Sequence, residues 1–175
     1  RAALERELVE GLNRGGNVVI PSFAVERSQE LLHDIGVLLA EGRIPDTTQV
    51  FLDSPLASRV TKVFIRHADT LDDVALDEAA LFRHPNFHIT EDVEESKAIN
   101  RIKGGAIIIS ASGMCEAGRI RHHLKNNIWR REATVLFVGY QAPGTLGKII
   151  LDGTDEVRIH GRDIKVRATI RQLGN

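Results

Sequence analysis

The sequence predicts an α/β fold: a Rossmann-like three-layer domain with a mainly parallel sheet flanked by helices, plus a C-terminal β-hairpin. Three observations support this. Short apolar segments alternate with segments of helical periodicity along the chain. The apolar segments are continuous, which is typical of parallel strands covered on both faces. The last segments instead alternate in polarity and flank a tight turn at Gly161, which predicts a hairpin.

The first half of the chain gives five segments. Helices are predicted where apolar residues recur every three or four positions, and strands where several apolar residues stand together. Gly15 and Gly16 end the first helix, and Asp53-Ser54-Pro55 closes the second strand. In order, the segments are a helix over 2–12, a strand over 17–21, a helix over 24–40, a strand over 49–52 and a helix over 56–68.

The second half continues the alternation after a poorly patterned acidic stretch. The strands over 106–110 and 134–138 are apolar apart from Ser110 and Thr134, and each leads through a glycine-containing loop into a helix. In order, the segments are a helix over 76–82, a strand over 87–90, a helix over 94–102, a strand over 106–110, a helix over 118–127, a strand over 134–138, a helix over 144–151, and hairpin strands over 156–160 and 164–170.

Length and composition predict one domain over residues 1–175. With 42% hydrophobic and 27% charged residues, the composition excludes a disordered or fibrous chain. The only cysteine, Cys115, excludes an intrachain disulfide and a cysteine-rich zinc site, and fits a reducing cytoplasm. No apolar run approaches the length of a membrane span. Because the only methionine is Met114, we expect a processed chain or a piece of a larger protein.

Charge is unevenly distributed although the net charge is only −1. Residues 69–95 contain nine acids and one base, Arg83, whereas residues 118–131 contain five bases and no acid. Two interpretations of such runs stay open, a solvated face and a surface for a charged partner.

Four loops mark the edge where the predicted strands end, an edge we call the rim. The loops contain small hydroxyl residues, glycines and the starts of helices, and cover 21–27, 53–55, 110–119 and 139–147. In open parallel sheets ligands bind at this edge, and free helix amides favour anionic oxygen. The alternative is that each serine or aspartate only caps a helix and each glycine only makes a turn. Four such loops together favour a phosphate-lined groove.

No catalytic or metal-binding constellation can be assembled from the sequence. Adjacent His122 and His123 point about 100° apart on a helix, so we expect one surface and one half-buried histidine, not shared ligands. Asp53 is expected to cap the following helix, with holding a base as the alternative. We expect Trp129 and Phe137 in the core, whereas Tyr140 is a candidate for stacking on a nucleic-acid base. We therefore predict no catalytic residue and no metal ligand in this chain.

The rim motifs, taken as an ordered set, resemble those of a known family. They are Ile-Pro-Ser-Phe-Ala-Val-Glu-Arg-Ser-Gln-Glu at 20–30, Leu-Asp-Ser-Pro-Leu-Ala at 52–57, Ser-Ala-Ser-Gly-Met at 110–114, Gly118-Arg119 with His123-Leu124-Lys125, and Gly-Tyr-Gln at 139–141 with Gly-Thr-Leu-Gly at 144–147. This set resembles the β-CASP domain of metallo-β-lactamase-fold RNA-processing nucleases, in particular the bacterial and archaeal relatives of the endonuclease of the cleavage and polyadenylation machinery.

The resemblance implies that the chain is a lid over a catalytic site located elsewhere. In that family the β-CASP domain is inserted in a metallo-β-lactamase domain whose histidine motifs hold zinc, and those motifs would lie before Arg1 and after Asn175. The parent would hydrolyse RNA phosphodiester bonds with zinc-activated hydroxide. The expected cofactor is zinc in the parent and none in this chain, which is expected to be inactive alone.

The resemblance also implies roles for rim residues and partners. The implied RNA-binding residues are Arg27, Ser54, Ser112, Gly113, Arg119, Tyr140, Gln141 and Thr145. For Arg27 an alternative stays open, a pairing with Glu30 or Asp53 that locks the rim. Expected partners are RNA and the parent's own metallo-β-lactamase domain, with a homodimer left open and no membrane, in the cytoplasm.

Three alternatives to the nuclease lid stay open on sequence alone. The first is a non-catalytic β-CASP paralogue that binds RNA or a partner. The second is a free-standing Rossmann-like binder of a small molecule, which the lack of a Gly-x-Gly-x-x-Gly turn disfavours. The third is DNA as the substrate in place of RNA.

Overall fold

A computed structural model describes residues 1–22, 26–55, 59 and 84–173 of the chain, with backbone only for residues 26–29. The helices predicted over 56–68 and 76–82 lie outside the described residues, apart from Arg59. Most of the acidic stretch lies outside them as well. The remaining predicted segments are all present as helices or strands, with ends shifted by one to three residues in most cases.

The described elements alternate between strand and helix until the C-terminal part of the chain. In chain order they are α1 (Ala2–Asn13), β1 (Val18–Pro21), α2 (Glu26–Ala40), β2 (Gln49–Asp53), β3 (Phe87–Thr90), α3 (Val93–Ile99), β4 (Ala106–Ser110), α4 (Ile120–Asn127), β5 (Thr134–Phe137), α5 (Leu146–Leu151), β6 (Glu156–Ile159), β7 (Arg162–Lys165) and β8 (Thr169–Gln172).

Six of the strands form one sheet in the order β3-β2-β4-β1-β5-β8. Every pairing between these described strands is parallel. Strand β1 lies between β4 and β5, with Val18 opposite Ile107 on one side and Thr134 on the other. The carboxyl ends of β1, β2 and β4 therefore meet at one edge of the sheet, which is the predicted rim.

Helices cover both faces of the sheet and divide the core into two clusters. Successive residues of β1 alternate between them, with Val18 and Ile20 in the first cluster and Val19 in the second. The first cluster joins the sheet to α1 and α2, and the second joins it to α3, α4, α5 and the β6–β7 hairpin. The three-layer α/β prediction is confirmed.

The C-terminal hairpin is present, but its second arm is shorter than predicted. Strand β7 ends at Lys165 and pairs antiparallel with β6, whereas β8 joins the main sheet beside β5. The backbone N–H groups of Arg167 and Ala168 both donate to the carbonyl of Ile128, and the chain turns there. Because β8 covers the edge of β5, it satisfies backbone groups that the predicted hairpin would have left unpaired.

None of the helices in the described part of the chain is long and apolar enough to cross a membrane.

Candidate functional site

A cavity of about 280 Å³ lies at the rim, where the neighbouring strands β2 and β4 end. Asp53 is the last residue of β2 and lies opposite Ser110, the last residue of β4. Their following loops line the cavity with Ser54 and Ser112, and the start of α4 contributes Arg119. Two of the four rim loops and a helix start thus meet at one site.

Asp53 is the centre of this site and is completely buried. The Thr90 hydroxyl donates to its Oδ1 at 2.6 Å, and the Ser96 hydroxyl donates to its Oδ2 at 2.5 Å. The Ser110 hydroxyl donates to the Asp53 backbone carbonyl at 2.6 Å. These bonds connect the ends of β2, β3 and β4 to helix α3.

Helix α4 adds two more contacts to the same carboxylate. Arg119 caps the helix and His123 follows one turn later, so both side chains lie on one face. Nη1 of Arg119 donates to Asp53 Oδ1 at 2.8 Å, and Nε2 of His123 lies 2.6 Å from Oδ2. Nη2 of Arg119 also donates to the carbonyl of Glu91.

The network holds Asp53 in its ionised form. Burial opposes ionisation, but the hydrogen bonds from His123, Ser96 and Thr90 together hold the pKa of the carboxyl well below its usual range. A carboxylate only accepts hydrogen bonds, so Nε2 of His123 carries the proton of their bond. Asp53 therefore anchors Arg119 and His123 through its two carboxylate oxygens.

The loop after β4 is held in shape by its own polar groups. The Ser112 hydroxyl accepts the backbone N–H groups of Glu116 at 3.1 Å and Ala117 at 3.2 Å. Gly118 has a φ of +89°, and a Cβ there would lie 2.5 Å from the Ala111 carbonyl oxygen. Only glycine fits this position without displacing the backbone. The loop is therefore a fixed platform beside the cavity.

The loop after β5 packs against this platform through Gln141. The Gln141 side chain is buried, and its Nε2 donates to the carbonyls of Gly113 at 2.9 Å and Gly139 at 3.2 Å. Thr145 caps α5 by accepting the Lys148 N–H, while its own hydroxyl donates to the Ala142 carbonyl at 2.7 Å. Tyr140, between these anchors, is 70% exposed. The loop after β5 is thus anchored at Gln141 and Thr145 and exposes the aromatic ring of Tyr140.

Most of the residues expected at the rim lie in these loops, but they differ in what their side chains contact. Ser54, Ser112 and Arg119 line the cavity, Gly113 and Gln141 are bonded to each other, and Thr145 is a helix cap. Arg27 lies in α2, and its side chain is outside the described atoms.

Four members of the Asp53 network were not assigned a site role by the sequence. Thr90 and Ser96 belong to no recognisable motif, and Asp53 was expected to be a helix cap, with holding a base as the alternative. Of the adjacent histidines one was expected at the surface and one half-buried; His122 is exposed, whereas His123 is only 1% exposed. The one available signal was the spacing of Arg119 and His123, which places two donors on one helix face.

The described residues do not offer a zinc site. No group of three or more histidine, cysteine or carboxylate side chains is gathered in the described ranges. Besides His123, the Arg119 guanidinium and the Thr90 and Ser96 hydroxyls donate to the Asp53 carboxylate. These donors occupy the carboxylate oxygens that a metal ion would need.

Comparison with known proteins identifies the domain. Residues 28–150 match the sequence profile described as the Beta-Casp domain. The chain belongs to the β-CASP family. The β-CASP motif set recognised in the sequence is confirmed by this match and by the relatives described next.

Named relatives of this β-CASP chain come from bacteria and archaea. It is 37% identical to Ribonuclease TTHA0252 of Thermus thermophilus over 95% of the chain and 39% of the relative. It is 30% identical to an RNase J-like protein of Methanocaldococcus jannaschii over 99% of the chain and 41% of the relative. It is 35% identical to Transcription termination factor FttA of a Lokiarchaeum species over 89% of the chain and 26% of the relative. The chain thus spans about two fifths or less of each of these proteins.

Proposed function

We propose that this β-CASP domain binds RNA as the substrate-binding lid of a zinc-dependent, metallo-β-lactamase-fold ribonuclease and is inactive alone. The observation that carries the proposal is the rim cavity, which is lined by the Ser54 and Ser112 hydroxyls and by the Arg119 guanidinium that the buried Asp53 carboxylate holds. The names of two relatives, a ribonuclease and an RNase J-like protein, support RNA as the substrate. Zinc and the hydrolytic chemistry would belong to the metallo-β-lactamase domain. The single cysteine supports a cytoplasmic location.

The exposed lining of the cavity is mostly apolar, so in the proposal a phosphate binds where the cavity's few polar groups are only partly used. Within the described residues Arg119 uses two guanidinium N–H groups, on Asp53 and Glu91, and three others have no partner there. Ser112 accepts two backbone N–H groups, which leaves its hydroxyl proton to donate. Ser54 adds a second hydroxyl on the facing loop. In the proposal these three groups bind one phosphate of the RNA backbone.

Tyr140 would stack on a base next to that phosphate. Tyr140 is 70% exposed, and stacking on an unpaired base would cover its ring. Gln141, Thr145 and Gly113 would act by positioning, because their polar groups hold the loop that presents the ring. Arg27 would add charge from the neighbouring rim loop.

The first test measures binding of a fluorescently labelled single-stranded RNA by anisotropy. We expect Tyr140→Leu to weaken binding about tenfold and Tyr140→Phe to retain it, because phenylalanine also stacks. Val93→Ala, which trims another exposed apolar side chain, is the matched control and should bind as wild type does. Equal RNA affinity of Tyr140→Leu and wild type would show that Tyr140 does not stack on RNA.

The second test addresses the phosphate. Ser54→Ala combined with Ser112→Ala should weaken RNA binding, while the melting temperature reports any loss of the loop. In the full-length nuclease the same pair of changes should lower the rate of RNA cleavage, and the 175-residue chain should show none. RNA binding and cleavage that are unchanged in the double variant would refute the proposed phosphate site.

A further inference from the structure

A second surface with nucleic-acid-binding chemistry lies away from the rim. Trp129 was expected in the core, but it is 44% exposed, whereas Phe137 is fully buried as expected. The prediction of Trp129 as a core residue is wrong: the residue follows the end of α4 and lies outside both core clusters of the described residues. It lines a cavity of about 370 Å³ together with Lys125, Arg162, Asp163, Ile164, Lys165 and Arg167. We call these seven residues the tryptophan surface.

The tryptophan surface is strongly cationic. Five basic side chains lie in it or next to it: Lys125, Arg130, Arg162, Lys165 and Arg167. Three carboxylates offset them: Glu156, which pairs with Lys165 at 2.8 Å, Asp163, which pairs with Arg158 at 3.1 Å, and Asp155, whose charge also acts on Lys165. Within the described part of the chain, Lys125, Arg130, Arg162 and Arg167 form no ion pair. Their charge is therefore available to an anionic partner.

A cation covers one face of the Trp129 ring. The Arg130 guanidinium lies over it, 4.6 Å from the ring centroid, and Nε of Arg130 donates to the Asn126 carbonyl at 2.8 Å. A cation in this position is attracted by the ring electrons. A base that binds Trp129 must therefore stack on the opposite face of the ring.

The tryptophan surface and the rim lie at opposite ends of helix α4. Arg119 caps the helix at the rim, and Trp129 follows its last residue, Asn127. Ten residues at about 1.5 Å each separate the two positions by about 15 Å along the helix. A single phosphate group therefore cannot contact both.

We propose that the tryptophan surface binds single-stranded RNA outside the rim, with one base stacked on Trp129 and the backbone phosphates on Lys125, Arg162 and Arg167. The proposal rests on the proposed function only in taking RNA as the nucleic acid. An unpaired strand is required because the bases of a duplex are stacked on each other and offer no face to the ring. An acidic peptide would pair with the basic side chains but would leave the Trp129 ring without a stacking partner.

The test uses the emission of Trp129, which is the only tryptophan in the chain. The chain has its own two-sided core, so it can be studied as it is. Oligouridylate of about eight nucleotides is added, and quenching of tryptophan emission is followed alongside anisotropy of the labelled RNA. We expect quenching that saturates, and anisotropy should show about tenfold weaker binding for Trp129→Ala than for Trp129→Phe.

Matched charge variants distinguish RNA binding at the tryptophan surface from non-specific electrostatic attraction of RNA to the whole chain. Lys125→Gln with Arg167→Gln should weaken RNA binding, whereas Arg6→Gln with Lys103→Gln removes the same two charges from other exposed positions and should not. The melting temperatures of all variants identify any that are misfolded.

The rim variant distinguishes this proposal from the proposed function. If Tyr140→Leu weakens overall binding while oligouridylate still quenches Trp129, both proposals hold. If Tyr140→Leu binds as wild type does and quenching persists, only the rim role fails. Absence of quenching by oligouridylate, loss of quenching in Tyr140→Leu, or equal quenching by oligoglutamate would overturn the tryptophan surface as an RNA site.

Discussion

The imidazole Nε2 of His123 lies 2.6 Å from Oδ2 of Asp53, although 70 positions separate the two residues. Both side chains are buried, and Arg119 contacts the other carboxylate oxygen. One aspartate at a strand end therefore fixes where helix α4 begins and how its guanidinium faces the rim cavity. The shape of the proposed RNA site depends on an interaction that RNA itself does not contact.

Replacing this carboxylate should destabilise the domain strongly. Asp53→Asn keeps the size of the side chain but removes the charge that compensates Arg119 and places an amide N–H₂ against hydrogen-bond donors. We expect the free energy of unfolding to fall by about 3 kcal/mol, as for other broken buried ion pairs. Urea denaturation measures it. Asp152→Asn, which affects the exposed pair with Lys148, is the control and should change stability by roughly 0.5 kcal/mol or less.

The Asp53 carboxylate should also make the free energy of unfolding depend on pH. The pKa of Asp53 in the folded protein is held below its ordinary value of 3.8, so the unfolded chain binds its proton first as the pH falls. The stability that Asp53 contributes is therefore complete above about pH 5 and is lost below the ordinary pKa. Urea denaturation between about pH 7 and pH 3 should show a steeper decline for wild type than for Asp53→Asn. Parallel pH profiles would contradict this role of Asp53.

Two glycines allow backbone strain and steric clash to be separated. Gly118 and Gly153 have similar φ angles of +89° and +95°, but only Gly118 has backbone atoms where a Cβ would lie. Gly153→Ala should cost about 1–2 kcal/mol for the left-handed conformation alone. Gly118→Ala should cost about 2 kcal/mol more, because the Ala111 carbonyl must move. Chemical denaturation of both variants measures the difference, and equal losses would show that the loop after β4 adapts freely.

An ion pair between Glu7 and Arg171 should couple the first helix to the last strand. Nε and Nη2 of Arg171 donate to the two carboxylate oxygens of Glu7, each at 2.9 Å. The hydrogen bond from Arg171 outweighs burial and lowers the pKa of Glu7. A double-mutant cycle with Glu7→Gln and Arg171→Gln should give a larger coupling than the same cycle at Lys148 and Asp152, because Asp152 is far more exposed than Glu7. A coupling no larger than that of the control pair would show that the contact is not cooperative.

The fold was predictable because apolar runs and helical periods are local signals. The strands over 87–90 and 106–110 were predicted with the bounds that the structure shows. The division of the C-terminal strand was not predictable from the pattern. Alternation continues through Arg162–Lys165 and Thr169–Gln172, and only the presence of an open β5 edge decides which part leaves the hairpin.

The site was predictable only where topology alone decides proximity. Parallel strands bring their carboxyl ends to one edge, so Ser54 and Ser112 could be grouped from sequence. The pairing of Asp53 with His123 requires the strand order, which places β2 next to β4, and the position of α4 over them. Trp129 was misplaced because an apolar residue next to a helix predicts burial, whereas its exposure depends on which element packs over it.

The strand order also has a consequence for synthesis of the chain on the ribosome. Strand β1 emerges first, yet both of its neighbours, β4 and β5, lie beyond residue 105. Until those segments have left the exit tunnel, β1 has no strand to pair with and Val18–Ile20 cannot be buried in their final places. The nascent domain must therefore keep the apolar strand β1 without its final partners until β4 and β5 have been synthesised, a period in which chaperones can bind it.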